Sequence, residues 1–215
     1  MNRLHVDGSD PKVLKVQRRQ LVTLVMLSGG IDSVYTLVKL LRETDDTILA
    51  HHIDLVNDEG RWVPERTACR NVVDFCREAY RDFSYSESAI DHRGLAFFGF
   101  DMVSVGFEAG IVSHSYYNAT QRMPDRWTVG SCTEEGSNPG RFKHVEACVA
   151  ANCFPVDPPV SYSLPIVSKK EEMSYLDIDL LRRLWTCRRP IEVEDGYREC
   201  GLCKTCELVA HARDA

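Results

Sequence analysis

Two groups of residues in this sequence can carry chemistry. The first is Ser28-Gly29-Gly30-Ile31-Asp32-Ser33, set between an aliphatic run and an amphipathic one. Adjacent glycines let the backbone turn sharply and leave amide groups uncovered. A helix that opens there presents free N–H groups and the positive end of its dipole, and together these bind anions. Ser28 and Ser33 add hydroxyl donors. Asp32 would repel a bound phosphate unless a cation stood between them, which assigns it to Mg²⁺ or to bracing the loop. On the glycines alone, a plain strand–turn–helix junction with Asp32 or Ser33 near the N-cap reads the same way. No Gly-Lys-Ser/Thr follows, so this is not a Walker A loop, and the dinucleotide glycine pattern is absent as well.

The second group lies near the C-terminus. Cys200, Cys203 and Cys206 form a C-x2-C-x2-C run, and Cys187 supplies a fourth thiol. Four thiolates at this spacing match a closed tetrahedral zinc site. Gly201 eases the tight turn, and Lys204, Arg188, Arg189 and Arg198 offset the negative charge of a tetrathiolate centre. An iron–sulfur cluster uses the same ligands, and unliganded thiols are the third reading. The chain has nine cysteines, an odd total, and its first twenty residues lack the apolar core of a secretory leader. Reduced thiols in a cytoplasm are therefore expected.

Strands and helices must position both groups. Leu21–Leu27 reads as a buried strand and Asp32–Arg42 as a helix with Val34, Leu37, Val38 and Leu41 on one face. Thr47–Asp54 reads as a second strand. A long helix is expected over Pro64–Phe83, with Cys69 and Cys76 in its apolar stripe, and an edge-like strand over Phe83–Ile90. Gly94–Asn118 reads mostly as helix, Arg126–Ser131 as a short strand and Gly140–Ala151 as a helix. The proline-rich stretch NCFPVDPPVSYSLP is loop or extended chain, and Lys169–Trp185 is a helix. This alternation implies an α/β fold, a parallel sheet with helices on both faces. The pair His51-His52 reads as packed rather than ligating. Trp62 either stacks on a base or covers the sheet edge.

Composition sets bounds on function. At 215 residues, 44% hydrophobic and 27% charged, the chain is long enough for one well-packed domain. Its formal charge of −6 and pI of about 5.7 argue against broad electrostatic binding of nucleic acid. No apolar run is long enough to span a membrane.

With its context, SGGIDS resembles the SGGxDS loop of the N-type ATP pyrophosphatases, the PP-loop superfamily of adenine-nucleotide alpha-hydrolase-like fold. The resemblance implies that Ser28, Gly29, Gly30, Ile31, Asp32 and Ser33 grip the pyrophosphate end of ATP while an oxygen attacks the α-phosphate. Asp54, closing the second strand, falls where these enzymes place the adenosine. The ending Leu184-Trp185-Thr186-Cys187 followed by Cys200-Gly201-Leu202-Cys203-Lys204-Thr205-Cys206 is similar to that of the 7-cyano-7-deazaguanine synthases. Pro165-Ile166 and Lys170-Glu171-Glu172-Met173 resemble the segment whose lysine contacts ATP phosphates in that family, and Lys169 next to it is able to take that role. Gly130 and Arg141, with Val145-Glu146-Ala147, resemble its middle region. The likeness runs from about Leu21 to Leu208, dense at both ends and thin between. The segments that would meet substrate differ from the family pattern, notably His52–Trp62, Asp91–Leu95 and Cys132–Gly140.

The resemblance implies a ligase that uses ATP and Mg²⁺, carries structural Zn²⁺ on Cys187, Cys200, Cys203 and Cys206, and acts through Lys170, Asp32 and Arg141. A 7-deazaguanine carboxylate, 7-carboxy-7-deazaguanine or a related acid, would be adenylated and attacked by ammonia to give an amide and then the nitrile. It further implies a homodimer with no stable nucleic-acid partner, and three segments: a polar arm over 1–20, a pyrophosphatase domain over 21–184 and a zinc-binding segment over 185–215. Three alternatives remain open: a tRNA thiolation enzyme with Cys132 as its thiol, a related PP-loop amide ligase acting on a different acid, and a nucleotide binder without catalysis.

Overall fold

The computed structural model describes residues 19–95, 100–136 and 139–214. Apart from Arg19 and Gln20, the arm expected over 1–20 lies outside them. Five strands form one parallel sheet: β1 (Val22–Met26), β2 (Thr47–Val56), β3 (Ser84–Asp91), β4 (Arg126–Val129) and β5 (Val160–Ser161), in the order β3-β2-β1-β4-β5. β1 is buried throughout and pairs with β2 on one side, Met26 opposite His51, and with β4 on the other, Met26 opposite Val129. Its aliphatic residues do not alternate with polar ones because both faces of a parallel sheet are covered. β3, with its half-exposed residues, is the edge strand that its sparse apolar pattern implied.

Helices α1 (Ile31–Glu43) and α2 (Trp62–Ala79) cover one face, and α3 (Asp101–Thr120) and α4 (Pro139–Cys153) cover the other. On the first face Val34, Leu37 and Val38 of α1 meet Cys69, Val72 and Cys76 of α2. On the second, Trp127 of β4 stacks on Phe142 of α4 at 6.2 Å, beside Ala109 and Val145.

One expectation is refined and two change. The proline-rich stretch supplies the two-residue strand β5, held by Val160 N–H donating to Asp125 at 3.1 Å. Its brevity hid it, since prolines cannot donate to a ladder. The helix expected over Lys169–Trp185 is two short ones, α5 (Lys169–Tyr175) and α6 (Ile178–Leu181). Leu176 and Asp177 between them are extended, and this break lets both Leu176 and Leu180 reach the core. α2 also stops at Ala79, four residues short of Phe83, because the chain must turn there into β3.

After α6 a small hairpin, β6 (Ile191–Val193) and β7 (Gly196–Arg198), folds the chain back, and α7 (Lys204–Asp214) completes it. No described helix is long and apolar enough to cross a membrane. The sheet runs outward from β1 in both directions, so the carboxyl end of β1 is the switch point where open α/β sheets bind ligands.

Candidate functional site

The Ser28–Ser33 loop sits at that switch point. Gly29 takes φ +76°, a left-handed conformation that favours glycine, and packs so tightly on α2 that an added Cβ would lie 3.0 Å from Ala68 Cβ. Gly30 is the N-cap of α1, and no side chain caps the helix. Ser33 Oγ instead donates to Gly30 O at 3.1 Å, lies 3.0 Å from Ser28 Oγ and accepts from Ser28 N–H at 3.1 Å. The hydroxyls thus brace the loop, while the first amides of α1 are left for an anion.

Gly130, after β4, presses on this turn. A Cβ there would fall 2.2 Å from the Asp32 carbonyl carbon and 2.3 Å from Ser33 N. Gly130→Ala is therefore expected to displace the start of α1 and cost about 3 kcal/mol. An unfolding free energy from urea titration lower than wild type by that amount would bear this out, and an unchanged one would refute it.

The loop opens on a cavity of about 240 Å³. Ser28, Gly30, Asp32, Gly130 and Lys169 line it, and so do His51, Ile53, Leu55, Met102 and Val105, which give it a largely apolar stretch. Trp185, Thr186, Thr205, Leu208 and Val209 close a third side, so the cysteine segment forms part of the wall. Trp185 N–H donates to Gly29 O at 3.0 Å and ties that segment to the loop.

Lys169, not Lys170, reaches the loop. It is buried, its Nζ pairs with Asp32, and it lies 3.4 Å from Glu172 Oε2. Lys170 is exposed on the outer side of α5. The helix phase decides this: Ser168 and Glu171 form a capping box that fixes the first turn of α5 and turns Lys169 and Glu172, three apart, to the same inner face. Glu134 adds a second anchor, both of its oxygens accepting from Lys169 N–H at 3.0 Å. Burial works against the Asp32 carboxylate, but the adjoining Glu172 and Lys169 outweigh it and hold it below its ordinary range. Burial and the facing Asp32 push Glu172 up to about 9.

Two further assignments from the sequence do not reach the cavity. Asp54 is buried and held by Arg66, whose Nε donates to it at 2.8 Å, and by His52 Nε2 at 3.2 Å. It points to the α2 face, whereas Ile53 and Leu55, on the opposite face of β2, line the cavity. Arg141, on the first turn of α4, lies over the Phe100 ring at 4.9 Å and is not among the lining residues, because α4 packs against α3. Trp62 takes the Arg66 guanidinium over its ring at 4.9 Å. Both histidines are packed as expected, yet both also line the cavity. His51 lies 2.7 Å from Ser86 Oγ and 2.9 Å from Ser88 Oγ.

The cavity rim was not foreseen from the sequence. Arg61 donates to Asp101 at 2.5 Å and to Glu65 at 3.3 Å, and Arg188 from the cysteine segment also pairs with Asp101. Burial pushes the Glu65 carboxyl up to about 7 against the pull of Arg61. An acid whose folded pKa lies above its unfolded value keeps a proton that the unfolded chain has lost. Its contribution is full below about pH 4.5 and is lost as pH rises through 7. His51, which burial lowers to about 4, gives the opposite slope over an overlapping range, so the comparison must be with a Glu65→Gln variant. The wild-type stability relative to that variant should fall by about 3 kcal/mol from pH 4.5 to 8 in urea titrations. A flat difference would mean that Glu65 is ionised throughout.

The four cysteines of the C-terminal segment meet. Their sulfurs all lie within 4.8 Å of one another and form a group able to hold a metal ion. Cys203 and Cys206 are 3.4 Å apart, and Cys200 and Cys206 are 4.0 Å apart. Amides of Arg189 and Cys200 donate to Cys187 Sγ at 3.4 and 3.2 Å, and those of Leu202 and Cys203 to Cys200 Sγ at 3.4 and 3.3 Å.

No family model matches the chain, and no curated protein does. Among solved structures, a universal stress protein in complex with cAMP aligns at 12% identity with a TM-score of 0.36, over 67% of this chain and 96% of its own. The U34-tRNA thiolase NcsA from Methanococcus maripaludis, with its [4Fe-4S] cluster, aligns at 12% identity with a TM-score of 0.47, over 90% of this chain and 63% of its own. This chain thus spans less than two thirds of the thiolase. At such values neither likeness bears on function. The α/β architecture and the site rest on the geometry above.

Proposed function

We propose that this chain is an ATP-dependent ligase of the PP-loop type, which adenylates a carboxylic acid with release of pyrophosphate and passes the acyl group to ammonia. The observation that carries this is the uncapped amide cradle after β1, opening on a cavity that the buried Lys169, paired with Asp32, also lines. In this reading the amides of Ile31, Asp32 and Ser33 bind the pyrophosphate end of ATP, and the apolar stretch of Ile53 and Met102 takes the adenosine. Lys169 neutralises charge that grows on the α-phosphate and the leaving pyrophosphate as an oxygen of the acid attacks. Asp32, a hard oxygen donor beside the cradle, suits the Mg²⁺ that accompanies ATP, and that ion would add further charge neutralisation there.

The cysteine segment is assigned a structural zinc ion. A tetrahedron with metal–sulfur bonds of ~2.3 Å has edges of roughly 3.8 Å, which the close sulfur pairs bracket. A four-iron cluster places a cube of atoms between its thiolates and needs them farther apart. The segment division follows: 21–184 for ATP chemistry, and 185–215 for the metal and one cavity wall.

The acid assigned is a 7-deazaguanine carboxylate, resting on the motif resemblance at both ends of the chain, with amide and then nitrile as products and a homodimer as the working form. A sulfur-transfer reaction through Cys132 is disfavoured. That thiol is 2% exposed and burial, with Asp32 nearby, pushes it up to about 12, which leaves little thiolate at neutral pH. The test is zinc-loaded protein with ATP, Mg²⁺, ammonium and 7-carboxy-7-deazaguanine, followed by the mass of the base. Loss of one mass unit marks the amide, and the further loss of water marks the nitrile. An unchanged base would sink this choice of acid.

A further inference from the structure

We propose that Asp32 and Glu172 together form a divalent-cation site and that the Lys169 ammonium occupies it until a cation arrives. Glu172 is fully buried, yet neither of its carboxyl oxygens has a hydrogen-bond partner among the described residues. Buried polar groups are nearly always satisfied, so a side chain left in this state asks for a ligand. Two charges stand close to it, the facing Asp32 carboxylate and Lys169 Nζ, 3.4 Å from Oε2, and that same ammonium pairs with Asp32. Ligand atoms of Asp32, Glu172 and Cys132 all lie within 4.8 Å of one another, close enough for one ion to bridge them.

The geometry suits a hard ion of the Mg²⁺ or Mn²⁺ type. Such ions take one or two protein carboxylates and fill their other positions with water and phosphate oxygens. Asp32 and the fully buried Glu172 supply two oxygens, and Asp32 lines the cavity, from which water and phosphate would approach. A divalent cation on these two carboxylates would repel the ammonium and compete with it for the same oxygens. A bound cation therefore releases Lys169, whose side chain is long enough to turn towards an anion held at the Ser28–Ser33 amides. Metal binding and presentation of the lysine thus become one event. This extends the Mg²⁺ role of Asp32 in the proposed function to a second carboxylate and an exchangeable lysine, and it rests on that reading only for the class of cation.

The test uses the full-length, zinc-loaded chain and Mn²⁺, which prefers oxygen ligands and leaves thiolate-bound zinc in place. Free Mn²⁺ is counted by electron paramagnetic resonance with no nucleotide present. Lys169→Met removes the competing ammonium and should tighten Mn²⁺ binding about tenfold or more. Adding Glu172→Gln to Lys169→Met should abolish that gain, and so should adding Asp32→Asn, which serves if one double variant does not fold. The proposal is overturned if Lys169→Met binds no tighter than wild type, or if a folded double variant keeps the gain. ATP turnover is not read in this assay, so failure here leaves the ligase proposal standing, and failure of the ligase assay leaves this site standing.

Discussion

Lys169→Met should lower acid-dependent ATP cleavage by about 10²–10³-fold, and Lys170→Met should leave it within about twofold. The two lysines are neighbours in sequence and nearly equivalent in composition, yet their surroundings are opposite. Lys169 is 5% exposed and ion-paired at the loop, while Lys170 faces solvent. A cation aimed at the growing charge of a transferring phosphoryl group acts most strongly where water is excluded. A methionine keeps the length and apolar body of the side chain and removes only the charge, so the loss reports electrostatics rather than packing. Parallel initial rates of AMP release for the two variants decide the matter. Equal losses would mean that α5 turns in solution to present the other lysine, and a loss confined to Lys170→Met would restore the assignment drawn from the sequence resemblance.

Loss of the metal from the cysteine segment should abolish activity and lower stability together. Trp185, Thr186, Arg188, Thr205, Leu208 and Val209 all line the cavity, and they lie between or beside the four cysteines. Few of the surrounding residues are core: Cys187, Cys203, Cys206 and Val209 are buried, while Leu202 is 84% exposed. A tail with so small an apolar core depends on its metal, and structural zinc contributes about 10–16 kcal/mol of apparent binding free energy in isolated zinc-binding peptides. Cys203→Ser, or chelation, should therefore free the segment from 185 onward, break the Trp185–Gly29 hydrogen bond and open the cavity wall. The expected signs are faster amide exchange in α7 and loss of at least about 10²-fold in AMP release, since the substrate is no longer held in position. Metal analysis returning one zinc per chain before chelation, and none after, would complete the correlation. Full activity in zinc-free protein would show that the wall stands on its own packing.

Much of the frame was legible from residue patterns. The aliphatic run before Ser28 reads as a buried strand, and the periodic Val34, Leu37, Val38 and Leu41 read as a helix covering it, which puts the loop at their junction. The cysteine spacing likewise foretold the four-sulfur cluster. What stayed hidden depends on helix phase and on distant contacts. Lys169 and Lys170 are distinguished only by the capping box of α5, which sets which one turns inward. Asp54 looked like a ligand residue because it closes a strand, but side-chain alternation points it at Arg66 on α2. Arg141 lies on a helix whose place is set by α3, not by the loop. Glu172 drew no role of its own within the Lys170-Glu171-Glu172-Met173 stretch. The signal was present in its i+3 spacing from Lys169 and its position next to Met173 and Leu176, which put it on the apolar side of a short helix. The rim of Arg61, Asp101 and Arg188 joins three distant parts of the chain, and no local pattern announces it.

The central claim is that this cavity cleaves ATP between its α- and β-phosphates. The most direct measurement is the nucleotide product itself, resolved by chromatography after zinc-loaded protein has turned over ATP and Mg²⁺ with acid and ammonium. AMP and pyrophosphate in equal amounts, lost in Lys169→Met and retained in Lys170→Met, is the predicted result. ADP and inorganic phosphate would contradict it, because a cradle that directs attack at the γ-phosphate cannot belong to a pyrophosphate-releasing ligase.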